Sequence, residues 1–173
     1  MHAPRAAPFR DFRERKSAPA DFRSAWKYSA AMRIEVLNGV NLDLLGRRDV
    51  ETYGSATLQD LETRIYQWAR ELELQVRCRQ TNHEGEFVDF CHQALENADG
   101  VVVNPGAWTH YAWAIRDALE PFGGPIVEVH ISDVDRREEW RRHSVLEDVR
   151  TARIVGKGVD GYREALELLV SSR

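Results

Sequence analysis

Four clusters of polar side chains follow four apolar segments of this 173-residue sequence. They occupy residues 38–41, 80–86, 104–110 and 130–133. Three of the clusters include a histidine, which can donate or accept a proton near neutral pH. Asn and Ser side chains, together with backbone N–H groups, can hold a carboxylate or an enolate oxygen. This combination indicates acid–base chemistry on a small anionic molecule.

A long polar loop after the first apolar segment carries Arg47, Arg48 and Tyr53. Connections of about fifteen residues inside compact domains are usually lids or binding loops. A tyrosine hydroxyl has an ordinary pKa of about 10, so only roughly one part in a thousand is ionised at pH 7. A desolvated guanidinium beneath a closed lid would favour the phenolate base. The alternative is that both arginines are solvated and Tyr53 packs on the following helix.

Strand and helix patterns alternate from Met32 onward. Apolar or alternating segments predict strands at residues 34–37, 74–79, 100–103, 126–129 and 152–155. Helical spacing predicts helices from Thr57 as N-cap to Leu72, and at 84–97, 111–119, 136–142 and 162–170. The aromatic residues on these helices are interpreted as core: Trp68, Phe87, Phe90 and Tyr162.

The alternation predicts an α/β fold with a five-stranded parallel sheet in a three-layer sandwich, because helical crossovers are right-handed and cover both faces. The carboxyl ends of parallel strands meet at one edge, where open α/β sheets bind ligands. The four polar clusters are therefore expected to converge there. Neither internal repeats nor a second folded domain are expected between residues 32 and 173, which we interpret as one catalytic domain.

Composition excludes several classes of protein. An apolar content of 43% and a charged content of 30% fit a globular domain. The net charge of −4 argues against general binding to nucleic acid or to a membrane surface. No run of 18 apolar residues is present to span a membrane. Cys78 and Cys91 lack the spacing of a disulfide or zinc framework, which fits a reducing cytoplasm.

Residues 1–31 carry seven Lys and Arg against three Asp and Glu, without sustained periodicity. They are expected to form a basic, disordered extension, or to precede a true start at Met32. A basic arm that binds an acidic partner is the alternative. The segment lacks the continuous apolar stretch of a secretory signal.

Other chemistries fit the sequence less well. GKGVDG at residues 156–161 matches the GxGxxG pattern, but only one helix follows it, so no dinucleotide-binding βαβ unit can be completed. The histidines lack a spacing that would place two of them on one helical face as metal ligands. A phosphoacceptor would need acidic residues where the first and third strands end in asparagine. No flavin phosphate loop or nucleophile elbow is present.

Four linked blocks carry a specific resemblance: NGVNLDLLGRRDVETYG, QTNHEGEFVD, NPGAWTHYAWAIRDAL and EVHISDVDRREEWRRHS. In order and spacing, residues 33–170 resemble type II 3-dehydroquinate dehydratase. The resemblance implies a flavodoxin-like fold and a homododecamer arranged as a tetramer of trimers. It also implies anti elimination of water from 3-dehydroquinate to give 3-dehydroshikimate, with no metal or organic cofactor.

Carried over by position, the resemblance assigns Tyr53 as the base and Arg48 as the group that stabilises its phenolate and the transition state. Asn41 would position a water molecule on the enolate. His130, oriented by Glu128, would give a proton to the departing C1 hydroxyl. These roles agree with the chemistry inferred above, because proton abstraction beside a carbonyl needs a base, an acid and enolate stabilisation.

The same resemblance implies substrate contacts. Hydroxyl groups would be bound by Asn104, His110 and Arg141. The carboxylate would be held by Ile131 and Ser132. Asp117 would reach the site of a neighbouring subunit in the trimer.

The sequence departs from the family pattern in two blocks near the lid. Val40 and Asp43 replace residues of the usual NGPNLNLLG, and Asp49 and Val50 stand where the lid usually reads Glu-Pro. Loss of that proline is expected to loosen the open lid. Further departures are Tyr111 and Ala112, where the family usually has small hydroxyl residues, and Asp133, where Asn is common. Substrate fit or trimer contacts could be altered by Tyr111, Trp108 and Asp133.

The leading hypothesis is thus a cytoplasmic hydro-lyase that serves the shikimate pathway of aromatic amino-acid biosynthesis or quinate catabolism. Two alternatives remain open. One is a paralogue with related proton-abstraction chemistry on another cyclic hydroxy acid. The other is a non-catalytic flavodoxin-like binding protein. The presence of base, acid and enolate clamp together favours an enzyme.

Overall fold

β-Branched and other apolar residues build the middle of a five-stranded parallel sheet. A computed structural model describes residues 31–47 and 49–172. The strands are β1 Arg33–Asn38, β2 Gln75–Gln80, β3 Gly100–Asn104, β4 Ile126–His130 and β5 Ala152–Val155. Their order in the sheet is β2-β1-β3-β4-β5. This is the flavodoxin-like order, so the predicted fold class is confirmed.

Five α-helices accompany the strands among the described residues. They are α1 Val50–Tyr53, α2 Leu58–Glu71, α3 Glu84–Asn97, α4 Trp113–Leu119 and α5 Asp160–Ser171. The N-cap predicted at Thr57 is confirmed, because its hydroxyl accepts from the Asp60 N–H while the Asp60 carboxylate accepts from the Thr57 N–H. This reciprocal capping box fixes where the chain leaves the lid segment and enters α2.

Helices cover both faces of the sheet and create two apolar cores. One core joins β1 residues to α2 and α5, with Ile34, Leu61 and Leu166 among its members. The other joins the opposite sheet face to α3 and α4 through Phe87 and Ile115. These two cores make the predicted three-layer sandwich, since parallel sheets bury both faces beneath their crossover helices.

Two predicted helices differ from the structure. The predicted 111–119 helix is preceded by a 3₁₀ turn, Gly106–His110, and α4 begins only at Trp113. The predicted 136–142 helix is wrong: two 3₁₀ turns, Val134–Arg136 and Glu139–Arg141, replace it. The reason is local, because Arg137 has extended backbone angles of φ −100° and ψ −157° and breaks the helical path between the turns.

The carboxyl ends of β1 and β3 approach each other closely. The Gly39 N–H donates to the Asn104 carbonyl at 2.8 Å. A Cβ on Gly39 would lie 2.3 Å from the Pro105 carbonyl oxygen, so no larger residue fits without movement. Gly106 has a φ of +67° and passes beside the Val40 carbonyl. Glycine is thus required where two polar clusters meet.

Some predictions fall on other parts of the chain. Residues 1–30 and Arg48 lie outside the described residues, so the basic extension and the role of Arg48 stay predictions. In the described part, no helix is long and apolar enough to cross a membrane.

Candidate active site

A cavity of about 130 Å³ lies at the carboxyl edge of the sheet. Three of the four predicted clusters line it directly, through Asn41, Asn104, His110, His130, Ile131 and Ser132. Tyr53, Arg137 and Arg141 complete much of the wall. The cluster at 80–86 does not reach the cavity itself. It contacts the first cluster instead, because the side chain of Asn82 accepts a hydrogen bond from the Asn41 N–H.

His130 lines the cavity and is hydrogen-bonded to Glu128, which lies two residues earlier on β4. His130 Nε2 lies 2.8 Å from Glu128 Oε1, and the Glu128 side chain is fully buried. Burial alone would raise the pKa of Glu128, but hydrogen bonds from His130, Thr109 and Arg150 lower it to about 2. Glu128 is therefore a carboxylate that fixes the ring of His130. Nδ1 is the ring nitrogen left to serve a ligand.

His110 stacks beside this pair from the 3₁₀ turn before α4, with 6.3 Å between its ring centroid and that of His130. Its Nδ1 lies 2.7 Å from the His143 carbonyl oxygen, which can only accept, so Nδ1 carries the proton. Burial lowers the pKa of His110, and the positive fields of His130 and Arg141 lower it further. His110 is thus a neutral imidazole whose Nε2 can accept a hydrogen bond.

Tyr53 meets an arginine that the sequence did not single out. Arg137 Nη1 donates to the Tyr53 hydroxyl oxygen at 2.7 Å. The Arg137 guanidinium carbon also lies 5.7 Å from the centre of the Tyr53 ring. Arg137 is therefore an arginine in direct contact with the hydroxyl of Tyr53, the position that the resemblance assigns to Arg48.

Sequence reasoning missed Arg137 because nothing in its spacing distinguishes it. The block VDRREEWRRHS contains four arginines, and only the extended backbone of Arg137 turns one of them toward the lid. Its neighbour Arg136 is 88% exposed and pairs with Asp133 at 3.2 Å. Arg47, the other arginine of the lid, is exposed.

Asn41 is held in a backbone conformation that few residues adopt. Its φ is +65°, in the left-handed region that Asn tolerates better than most residues. Its N–H donates to Asn82 Oδ1 at 2.8 Å, and Asn82 Nδ2 donates to Asp43 Oδ2 at 3.0 Å. Asp43, a departure from the family pattern, thus helps to anchor Asn41 at the cavity wall.

Asn104 is held by a tyrosine that the sequence indicated only as core. Asn104 Nδ2 donates to the Tyr162 hydroxyl at 2.9 Å, and Asn104 Oδ1 accepts from the Gly106 N–H at 3.2 Å. The Tyr162 hydroxyl donates in turn to Asn38 Oδ1 at 2.6 Å. The ring is core, as predicted, but the hydroxyl fixes the orientation of an amide that lines the cavity.

The remaining predicted residues divide into two groups. Ile131, Ser132 and Arg141 line the cavity, and Arg141 is steadied by Glu138 at 2.7 Å. Asp117 lies apart on α4, where its side chain is 72% exposed and pairs with Arg116 at 3.2 Å. An exposed position agrees with a role across a subunit boundary, which stays a prediction.

A second, wider cavity of about 660 Å³ adjoins the first. Four residues line both cavities: Tyr53, Ile131, Ser132 and Arg137. The segment 52–56, which contains the end of the predicted lid, forms one wall of the wider cavity. The Tyr53–Arg137 contact therefore lies between the compact cavity and an open approach to it.

The fold and this site define a flavodoxin-like α/β protein with a buried acid–base pair and an arginine-bound tyrosine at the carboxyl edge of its sheet. Residues 32–170 match the model of the family described as dehydroquinase class II. The chain belongs to that family.

Relatives and solved structures agree with this membership. The chain is 52% identical over 136 residues to the 3-dehydroquinate dehydratase of Bacillus pumilus, covering 79% of this chain and 92% of that protein. It is 45% identical over 138 residues to the enzyme of the same name from Bacillus subtilis, covering 80% and 93%. The type II dehydroquinase structure from Propionibacterium acnes superposes with a TM-score of 0.78 at 45% identity, covering 82% of this chain and 97% of that one.

Proposed function

We propose that this chain catalyses the removal of water from 3-dehydroquinate to give 3-dehydroshikimate. The observation that carries the proposal is one cavity lined by Tyr53, Arg137 and His130. Tyr53 is hydrogen-bonded to Arg137, and His130 is hydrogen-bonded to Glu128, which is buried behind the cavity. The first pair suits a base and the second suits an acid. A hydro-lyase needs both, because one proton leaves carbon and another must reach the departing oxygen.

The first chemical step is assigned to Tyr53. Its phenolate removes a proton from the carbon beside the ketone, and the electron pair left behind forms an enolate. Arg137, and Arg48 by family resemblance, favour the phenolate and the negatively charged transition state. Asn41 holds a water molecule that donates to the enolate oxygen. Preorganised donors of this kind stabilise charge that develops during the reaction.

The second step is assigned to His130. As the enolate collapses back to a ketone, the C1–oxygen bond breaks and a carbon–carbon double bond forms. His130 gives its proton to the leaving hydroxyl, which departs as water. Glu128 keeps the imidazole oriented for that transfer. We propose the anti course of elimination that the family resemblance implies.

The other cavity residues are assigned to substrate binding. The neutral Nε2 of His110 accepts a hydrogen bond from a substrate hydroxyl. Asn104 and Arg141 contact further hydroxyl groups. Ser132 and the backbone at Ile131 hold the carboxylate. Tight fixation of this kind aligns the reacting carbon with the base.

We also propose that the chain assembles as a homododecamer, a tetramer of trimers, with Asp117 reaching a neighbouring site. Its exposure on α4 supports this role. Cys78 and Cys91 are free thiols, which supports a cytoplasmic location. The product serves aromatic amino-acid biosynthesis through the shikimate pathway, or quinate breakdown.

The test is to mix the purified full chain with 3-dehydroquinate and to follow the ultraviolet absorbance of the conjugated enone. We expect absorbance to rise in proportion to enzyme concentration, without added metal or cofactor. Quinate, which lacks the ketone that acidifies the adjacent proton, serves as the matched substrate control. No absorbance change at high enzyme concentration would reject the proposal.

A further inference from the structure

The carboxylate of Glu128 accepts more hydrogen bonds than the orientation of one histidine requires. Its Oε1 accepts from Thr109 at 2.5 Å, from His130 at 2.8 Å and from Ser144 at 2.9 Å. Its Oε2 accepts from Ser144 at 2.9 Å and from the guanidinium of Arg150. The Glu128 side chain is fully buried and that of Arg150 is 15% exposed. A charged partner is therefore built into the wall behind the proposed acid.

We propose that Arg150 is a positioning residue for this active site. It binds the Glu128 oxygen that His130 does not use, and it offsets the charge of that carboxylate. The proposal rests on the role of His130 as the acid in the proposed function. Arg150 touches neither cavity and would act only through Glu128.

The backbone places Arg150 behind β4 with little freedom. The Arg150 N–H donates to the Leu146 carbonyl at 2.9 Å, which closes a turn. The next residue, Thr151, donates its N–H to the Ile126 carbonyl at 2.7 Å and accepts the Ile126 N–H with its hydroxyl. Ile126 begins β4, two residues before Glu128. The arginine is thus tied to the strand that carries the carboxylate.

No other Lys or Arg within residues 31–47 and 49–172 pairs with Glu128. Arg153, the register partner of Glu128 on β5, pairs instead with Asp135 at 3.0 Å. Other charged or titratable groups face His130 from the cavity side. His110 stacks at 6.3 Å, and Tyr53, Arg137 and Arg141 line the same cavity. Removal of Arg150 therefore changes the charge behind the acid while the cavity lining keeps its groups.

The charge of Arg150 has a defined consequence for proton transfer. An uncompensated buried carboxylate favours a proton on its neighbour or on itself, so the Glu128–His130 pair would hold a proton more tightly without Arg150. An acid that holds its proton too tightly transfers it less readily. With Arg150 present, Glu128 can therefore orient the imidazole of His130 without making His130 a weaker acid.

The experiment compares kcat as a function of pH in the full chain and in three variants. Arg150→Met removes the charge at similar length, Arg150→Gln keeps a hydrogen-bond donor without charge, and Arg150→Lys keeps the charge. Arg163→Met is the matched control. It removes an exposed arginine of α5 that pairs with Glu71 of α2 and with Glu167 of α5. Circular dichroism and size-exclusion chromatography establish that each variant is folded. Arg150→Gln carries the test if Arg150→Met does not fold.

In Arg150→Met and Arg150→Gln we expect the basic limb of the kcat profile to move to higher pH by about one unit, the scale of one nearby charge. In Arg150→Lys and Arg163→Met we expect the basic limb to stay at the pH found for the unmodified chain. In a Glu128→Gln background the additional loss of Arg150 should move the limb no further, because the route through the carboxylate is gone. A purely structural role would lower kcat at every pH and leave the limb unmoved.

An unmoved limb in folded Arg150→Gln, or an equal shift in Arg150→Lys, would overturn the proposal. So would a further shift in the Glu128→Gln background. These outcomes are separable from failure of the proposed function, because that failure would leave the unmodified chain without turnover of 3-dehydroquinate. Turnover by the unmodified chain with an unmoved limb in Arg150→Gln rejects only the role of Arg150.

Discussion

Arg137 donates a hydrogen bond to the hydroxyl of Tyr53 at 2.7 Å, although 84 residues separate the two in the chain. The contact joins the lid segment after β1 to the irregular segment after β4. The environment of the proposed base therefore depends on how two segments that are far apart in the sequence lie relative to each other.

Arg137→Ala is expected to lower kcat by about 10²-fold or more, the scale for loss of one group that stabilises developing charge. Arg137→Lys should recover part of this loss, because a point charge replaces the guanidinium fork. Steady-state kinetics with 3-dehydroquinate provide the measurement. Arg136→Ala is the matched control, since Arg136 is adjacent, 88% exposed and paired only with Asp133 in the described structure. A near-normal kcat in Arg137→Ala would contradict activation of Tyr53 by this arginine.

Tyr53→Phe should abolish turnover and leave folding and assembly intact. The substitution removes the hydroxyl that is assigned as base and keeps the ring that packs against the core. Turnover is measured by the enone absorbance and assembly by analytical ultracentrifugation. Tyr66→Phe removes an exposed hydroxyl that accepts the Cys78 N–H, and should keep its activity. If Tyr53→Phe turned over as fast as Tyr66→Phe, another group would have to be the base.

Glu128 should make the free energy of unfolding fall with acidification. Its pKa is about 2 in the folded chain, against about 4.3 for an ordinary glutamate, so the folded state favours the carboxylate. This contribution is complete above about pH 5 and is lost as the pH falls toward 2. Urea unfolding across this range should show a shallower pH dependence in Glu128→Gln than in the unmodified chain. Glu164→Gln is the control, because Glu164 is exposed. If the free energy of unfolding varied with pH as steeply in Glu128→Gln as in the unmodified chain, Glu128 would not contribute to this pH dependence.

Tyr162→Phe should affect both stability and substrate binding. It leaves Asn38 Oδ1 and Asn104 Nδ2 without the buried hydroxyl that joins them, at a cost of about 1–3 kcal/mol for an unsatisfied buried group. We expect a lower free energy of unfolding and a raised KM, because the Asn104 amide loses its fixed orientation. Chemical denaturation and steady-state kinetics measure the two effects. An unchanged KM would show that the Asn104 orientation does not depend on Tyr162.

The sequence predicted the sheet well because its signal is local. The apolar run at residues 100–103 and the alternation at 74–79 each mark a strand without reference to the rest of the chain. The helix predicted at 136–142 failed because a local pattern does not contain long-range contacts. The extended backbone of Arg137 serves a contact with Tyr53 that only the folded chain contains.

The convergence of polar residues at one edge of the sheet was also predictable from the sequence. Strand-end position brought Asn41, Asn104, His110 and His130 to one cavity, as the topology of a parallel sheet requires. The supporting contacts of Arg150 and Tyr162 could not be predicted, because their partners lie on β1, β3 and β4, far away in sequence. An arginine before a strand and a tyrosine on an amphipathic helix both resemble ordinary structural residues.

The hydroxyl of Tyr162 has a consequence for the order in which the protein matures. It ties the last helix to the ends of β1 and β3. A nascent chain that has emerged only as far as β5 already contains every residue assigned to catalysis, yet the amide of Asn104 still lacks the Tyr162 hydroxyl that accepts from its Nδ2. The binding surface therefore becomes complete only when α5 docks, so synthesis of nearly the whole domain precedes a competent site.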